Sequence, residues 1–327
     1  MKVLITTVPF GQVDRTPLDL LEKNNIEYLI NPYNRKLRDN ELAGLVDDFD
    51  VIIAGTEQID KTVINNGENL KFISRVGIGL DSVDLNYSKE KNIQVSYTPD
   101  APAPAVAELT IGLMLSLIRS IQISNMRIKA GEWERFFGQR LSEMSIGIIG
   151  AGRIGAGVIN HLKCFNPRKI FVNDIEEGKC NLDGGNIEYT TKEYIYQSSD
   201  LISLHVPLTS DTHNLITSEQ LSLMKSSAFV INTARGGIVN ERDLYKALDK
   251  KIIAGAAIDT YELEPYAGDL IKFDNCINTA HMGSMTVDCR TRMEIEATEE
   301  AIRFINGEKL QSPVPDTEYM VQSLFSK

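Results

Sequence analysis

Short apolar runs bounded by turn residues recur along the first hundred positions of the chain, with amphipathic stretches between them. Val3–Thr6, Tyr28–Ile30, Val51–Ala54, Lys71–Ser74 and Gln94–Ser96 read as five strands, and Leu18–Asn24 and Arg38–Val46 as helical patterns among them. Strands alternating with helices predict a parallel sheet covered on both faces. The pattern then breaks. Pro99, Pro102 and Pro104 cluster before a long apolar helical stretch from about Val106 to Ile121. Proline fixes its own φ and restrains the residue before it, so this cluster predicts a stiff crossover and a helix start. A second alternating set follows, with Ser145–Ile149, Lys169–Asn173, Leu201–Val206, Ala228–Ile231, Ile253–Ile258 and Cys276–Thr279 as six strands. Beyond Gly283 a helical pattern runs to about Ile305, and a polar tail closes the chain. The expected fold is α/β, with two doubly wound parallel-sheet domains. One is discontinuous (1–100 and 286–327) and the other is inserted in it (101–285).

The first strand of the second set leads into "SIGIIGAGRIGAGV", which contains Gly150-x-Gly152-x-x-Gly155. Three glycines at this spacing are common by chance, but an apolar strand before them and a helix after them are not. Gly150 permits the tight turn, Gly152 lets backbone N–H groups approach a pyrophosphate, and Gly155 lets the helix pack closely on the sheet. The helix N-terminus favours the negative charge. The next strand ends at Asp174, nineteen positions beyond Gly155. A carboxylate there suits the ribose hydroxyls of NAD and repels the 2′-phosphate of NADP.

Later strand ends carry further chemistry. "AFVINTARGGIVNERDL" sets Arg235 just after a buried strand, between small residues that allow close approach. The planar fork of a guanidinium there matches a carboxylate in two parallel hydrogen bonds. "AAIDTYELEP" carries Asp259, Glu262 and Glu264, and "INTAHMGSMT" carries His281. Of four histidines, His161 lies in a helical pattern, His213 in a polar loop, and His205 in a strand where it would line a cofactor cleft. His281 is the acid–base candidate, because imidazole exchanges a proton near neutral pH. A neighbouring carboxylate would fix its tautomer; from the sequence this is Glu262 or Glu264.

Composition narrows the field. Lys and Arg number 34 against 45 Asp and Glu, so the formal charge is −11. An acidic chain is a poor partner for nucleic acid, and an anionic substrate must be caught by locally placed arginines. Cys164, Cys180, Cys276 and Cys289 are scattered without a Cys-x-x-Cys, which predicts reduced thiols and no metal site. No run approaches the ~20 apolar residues of a membrane helix, and the N-terminus reads as a strand with no signal peptide. A cytoplasmic protein is expected.

Taken together, "GIIGAGRIG", "HVPLTSDT", "NTARGGIVNERDL", "AAIDTYELEP" and "TAHMGS" resemble, in order and spacing, the D-isomer-specific 2-hydroxyacid dehydrogenase family. The resemblance covers nearly the whole length and implies a Rossmann NAD-binding domain inserted in a flavodoxin-like substrate-binding domain. It implies Arg235 as the substrate anchor, His281 as the catalytic base and Glu264 as the acid that orients it. Gly150, Gly152, Arg153, Ile154, Gly155, Asp174, His205, Pro207, Thr212, Thr233, Asp259 and Gly283 fall on its cofactor side. Val76, Gly77 and Gly79 fall in "SRVGIGLDSVDL", on the loop whose amides bind the substrate carboxylate, and Arg75 before it is a candidate for a substrate phosphate. "NPYNRKL" and "TPDAPAPAVAELT" look most like phosphoglycerate dehydrogenases, though the regulatory extension of their longer members is expected to be missing. The implied reaction interconverts a D-2-hydroxy acid and its 2-oxo acid in a homodimer. An NAD(H)-sensing co-repressor of the same fold is the alternative, and Glu264 in place of glutamine speaks against a formate dehydrogenase.

Overall fold

The protein is described here from a computed structural model, covering residues 1–38, 40–176 and 185–325, with side chains up to Gln322. It divides into two compact units, Met1–Pro102 with Met285–Lys327, and Ala103–Ser284.

The first unit begins with β1 (Lys2–Ile5), α1 (Thr16–Lys23), β2 (Glu27–Ile30), β3 (Val51–Ala54), α2 (Lys61–Asn66), β4 (Phe72–Arg75), α3 (Leu85–Glu90) and β5 (Gln94–Tyr97). The strands form one parallel sheet in the order β2-β1-β3-β4-β5. β3 and β4 are buried at every position, as strands covered on both faces must be.

The second unit runs through α4 (Ala103–Ile118), α5 (Ile121–Lys129), β6 (Ser145–Ile149), α6 (Arg153–Phe165), β7 (Lys169–Asn173), β8 (Ile187–Tyr189), α7 (Lys192–Ser198), β9 (Leu201–Leu204), α8 (Ser218–Leu223), β10 (Phe229–Asn232), α9 (Glu241–Asp249), β11 (Gly255–Ile258) and β12 (Cys276–Asn278). Its parallel sheet has the order β12-β11-β10-β9-β6-β7-β8. Successive strand residues feed opposite cores. Val230, Ala256 and Ile258 join the apolar cluster beneath α7, α8 and α9, while Ile231, Ala257 and Ile148 join the one beneath α4 and α6.

The chain then returns to the first unit as α10 (Val287–Ile305) and α11 (Asp316–Phe325). Phe304 stacks on Phe72 with ring centroids 4.6 Å apart, and the Ser74 hydroxyl donates to the Ala297 carbonyl at 2.7 Å, locking α10 to the sheet.

Several expectations are corrected. Arg38–Val46 is a series of turns in its described part, because Asn40 takes φ +68° and Glu41 is drawn off to accept from the Arg35 guanidinium and the Arg38 N–H. The apolar stretch expected to run to Ile121 stops at Ile118; Ser120, at φ +49°, separates it from α5. Pro104 is the second residue of α4, where a missing N–H costs no helical bond. The strand expected over Leu201–Val206 ends at Leu204. The short β8 supplies a seventh strand, and the polar tail contains α11, introduced by Pro315 and acidic Asp316 and Glu318 in its first turn. Cys180 lies outside the described residues, while Cys164, Cys276 and Cys289 are free thiols.

Ile148, fully buried in β6, tests this packing. Ile148→Ala should lower unfolding free energy by about 2–5 kcal/mol, read from urea titrations followed by circular dichroism.

Candidate active site

The glycine turn is built by close contacts. β6 ends at Ile149, and Gly150 turns the chain at φ +92°. A Cβ on Gly150 would lie 2.6 Å from the His205 carbonyl oxygen, and one on Gly155 would lie 1.9 Å from the Gly150 carbonyl oxygen. Both positions therefore exclude a side chain. Gly152 caps α6 without a side-chain hydrogen bond, and among the described residues nothing lies within 4 Å of where its Cβ would be. The first-turn amides of a 13-residue helix thus open onto a space that an anion can enter. Asp174, just past β7, reaches back to this turn; its carboxylate accepts from the Ala151 N–H at 2.6 Å and from the Glu176 N–H at 3.0 Å. Arg153 is exposed in the first turn of α6, with Ile154 half-buried behind it. These residues fit a dinucleotide: a cradle that a Cβ would fill, unspent helix amides, and a carboxylate beside them.

His205 follows β9, and its Nε2 lies 2.9 Å from the Ser203 hydroxyl. Its Nδ1 is buried with no hydrogen-bond partner among the described residues. Burial pushes this histidine down to about 3, so the ring is neutral at physiological pH. Pro207 is exposed, and its carbonyl accepts from the Thr212 hydroxyl, which folds the 207–212 loop on itself.

The chemical groups sit at the carboxyl ends of three adjacent strands. In the ladder Asn232 pairs with Ile258, and Ile258 with Asn278. Arg235 and His281 each stand three residues past this common level, and Glu264 lies on the segment that leaves the strand between them. The Asn232 side chain accepts from the Ala234 N–H at 3.1 Å and donates to the Arg235 carbonyl at 2.8 Å, which shapes the turn carrying Arg235. The Arg235 guanidinium donates to the Ala234 carbonyl at 2.7 Å and is half-exposed. Thr233 is buried, its hydroxyl 2.9 Å from that of Thr110 on α4. A Cβ on Gly236 would fall 2.0 Å from the Tyr261 carbonyl carbon, so this glycine lets the arginine turn lie directly against the segment that leads to Glu264.

The two glutamates part company in the structure. Glu262 is exposed, and its N–H donates to the Glu241 carboxylate at 2.9 Å; burial pushes the Glu241 carboxyl up. Glu264 instead meets the imidazole, with both carboxylate oxygens 3.0 Å from His281 Nδ1. It also accepts from the Tyr261 N–H at 3.2 Å. Tyr261 is pinned by its hydroxyl, which donates to the Ile258 carbonyl at 2.8 Å, and by its stack on Tyr266.

His281 has φ +49°, a conformation costly for a residue with a side chain. Asp259 stabilises it. The His281 N–H donates to the Asp259 carbonyl at 2.8 Å, and the Asp259 carboxylate accepts from the Thr279 hydroxyl (2.6 Å) and the amides of Met282 and Gly283 (both 2.9 Å). Asp259 is fully buried. With Nδ1 bound to Glu264, no hydrogen bond among the described residues engages the His281 Nε2.

In the first unit two assignments change. The Val76 N–H is spent on the Ala54 carbonyl at 2.9 Å, and the Gly77 N–H on the Thr98 hydroxyl at 2.7 Å. No hydrogen bond among the described residues engages the Ile78 or Gly79 N–H, and both residues are half-buried. Arg75 is only 5% exposed; its guanidinium donates to the Val76 carbonyl and underlies Gly77, so it props the loop and does not face a phosphate in solvent. Sequence reasoning missed Ile78, Asn232, Thr110 and Tyr261. Asn232 carried a visible signal, an Asx residue opening a turn; the others depend on tertiary contacts.

Comparison with known proteins agrees with this architecture. Residues 111–283 match the family described as D-isomer specific 2-hydroxyacid dehydrogenase, NAD binding domain. A hydroxypyruvate reductase of Thermotoga maritima is 35% identical, covering 87% of this chain and 96% of its own. A D-3-phosphoglycerate dehydrogenase of Methanocaldococcus jannaschii is 37% identical over 85% of this chain, which spans 54% of that longer protein. Among solved structures, the TT0316 protein of Thermus thermophilus superposes with TM-score 0.88 at 29% identity, covering 96% of this chain and 100% of that one. The chain belongs to the D-isomer-specific 2-hydroxyacid dehydrogenases. It is an oxidoreductase whose cofactor is NAD.

His205 makes stability depend on pH. Its folded value lies far below the ordinary 6.5, so protonation favours the unfolded chain. Its contribution is complete above about 6.5 and is lost as pH falls towards about 3. In urea titrations across this window, His205→Gln should lose stability less steeply than the parent; equal slopes would remove His205 as the cause.

Proposed function

We propose that the protein interconverts a small D-2-hydroxy acid and its 2-oxo acid. The observation that carries this reading is the His281–Glu264 contact beside the Arg235 turn, on a sheet edge next to a dinucleotide cradle. NAD, when bound, supplies the hydride chemistry. His281 holds the proton at Nε2, gives it to the carbonyl oxygen in reduction and takes it from the hydroxyl in oxidation. Glu264 holds the Nδ1 tautomer and steadies the imidazolium that forms in oxidation. Arg235 orients the carboxylate and stabilises negative charge at the reacting oxygen, where the transition state builds it. On the first unit, the Ile78 and Gly79 amides are the donors we assign to the substrate carboxylate. Gly150, Gly152, Gly155, Asp174 and the exposed face of the 205–212 loop are assigned to NAD, while Thr233, Asp259 and Gly283 support that face from within.

We also read the protein as a cytoplasmic homodimer. No single helix among the described residues is long and apolar enough to cross a membrane, and burial raises the Cys276 thiol to about 12 and the Cys289 thiol to about 11, leaving them inert. Support for the dimer comes from Ile121, Met126, Ile128, Trp133 and Phe137, all exposed within one short segment. Sedimentation should give twice the 36.5 kDa of the chain; a single-chain mass would reject the dimer.

A panel of 2-oxo acids with NADH tests the activity. Turnover should appear with at least one small member, and Arg235→Ala should reduce kcat/KM roughly 100- to 1,000-fold while NADH fluorescence titrations stay within a few-fold of the parent. Silence across the panel with tight NADH binding would favour the sensor. Near-normal turnover by the variant would remove Arg235 from the chemistry.

A further inference from the structure

The glycine turn is tied to the end of β7 at two successive positions. The Gly150 N–H donates to the Asn173 carbonyl at 2.8 Å, and the Ala151 N–H donates to the Asp174 carboxylate at 2.6 Å. The first bond prolongs the β6–β7 ladder, in which Ile149 pairs with Asn173. At the second position the strand has ended, and a side-chain oxygen takes the place of the next ladder acceptor. Asn173 is held in turn, its side chain donating to the Thr190 carbonyl at 2.7 Å, just past β8. The other Asp174 oxygen accepts from the Glu176 N–H at 3.0 Å.

Ala151 is only 4% exposed, so its N–H has little water to turn to when the carboxylate is removed, and a buried donor left unpaired is costly. Glycines stand on both sides of it, at 150 and 152, and glycine leaves a backbone free to take many conformations. The bond to Asp174 removes that freedom at the peptide that leads into Gly152 and the first turn of α6, where a pyrophosphate is received. Charge alone argues against an acid here, because a carboxylate repels a diphosphate bound at the same turn. Contact with the ribose hydroxyls accounts for an acid at the strand end, but not for the oxygen it spends on Ala151.

We propose that Asp174 is a positioning residue for the pyrophosphate turn, in addition to its place beside the ribose. Its acceptor oxygen, and not its charge, holds the Ala151 peptide in the conformation that binds a diphosphate. This rests on the NAD site alone and is independent of which 2-oxo acid the protein reduces. Charge and acceptor are separable by substitution. Asp174→Asn removes the charge and keeps an acceptor for the Ala151 N–H, while the N–H of exposed Glu176 passes to water. Asp174→Ala removes both.

The test uses 2′,3′-dideoxyadenosine 5′-diphosphate, which carries the diphosphate without the ribose hydroxyls, so its affinity does not report the ribose contact. It is titrated by calorimetry into the parent, Asp174→Ala and Asp174→Asn, each first checked for folding by circular dichroism. Asp174→Ala should bind it about tenfold more weakly than the parent, although loss of the charge alone would tighten binding. Asp174→Asn should bind it at least as tightly as the parent. An alanine variant that binds as tightly as the parent or more so overturns the proposal, as does an asparagine variant as weak as the alanine one. A parent that binds NADH and shows no affinity for the dideoxy diphosphate overturns it too. Amide hydrogen exchange of the ligand-free parent gives a readout that needs no variant: the Ala151 amide should be protected, and fast exchange there overturns the proposal whatever the variants do. None of these outcomes depends on turnover, so a failed screen of 2-oxo acids leaves them standing.

Discussion

Parallel, in-register pairing of β10, β11 and β12 is the constraint on which the site depends. Because Asn232, Ile258 and Asn278 share one level of the ladder, the residues that follow them leave the sheet side by side. An arginine turn, a glutamate segment and a histidine loop, far apart in the chain, are thereby delivered to one edge. Gly236 closes the first gap by lying against the Tyr261 backbone, and the Glu264–His281 contact closes the second. Either would fail with a one-residue slip, since a slip exchanges the two faces of a strand.

Polar groups buried around this edge do positional work. Asp259 spends its carboxylate on the loop that holds His281 in a left-handed conformation, so the strain of that residue is met by hydrogen bonds from within the fold. Asn232 does the same for the Arg235 turn, and Tyr261 for Glu264. The side chains that carry out the chemistry are few and partly exposed. Those that place them are buried, and each has its hydrogen bonds met inside the unit.

Much of this was legible in the sequence, for identifiable reasons. Apolar runs such as Ile146–Ile149 and Val51–Ala54 are buried on both faces, so their composition marks them without reference to their neighbours. The glycine turn is legible because Gly150 and Gly155 each answer a local steric demand, at a spacing that the strand before and the helix after make meaningful. The sequence could not separate Glu262 from Glu264, since a spacing of two residues in an irregular segment carries no direction; the choice is made by the fold around Tyr261. Nor could it show that the Val76 and Gly77 amides are taken by Ala54 and Thr98, because those partners are distant in the chain. Short β8 and terminal α11 were missed because three alternating residues and a polar helix face give weak periodic signals.

The most direct measurement of the central claim is a crystal structure of the protein with NADH and the unreactive 2-oxo acid analogue oxamate. The account predicts His281 Nε2 and the Arg235 guanidinium both within hydrogen-bonding reach, about 2.6–3.2 Å, of the oxamate atom that replaces the reacting carbonyl oxygen, with Glu264 still on Nδ1. Oxamate held by other residues, with His281 and Arg235 directed to separate places, would contradict it.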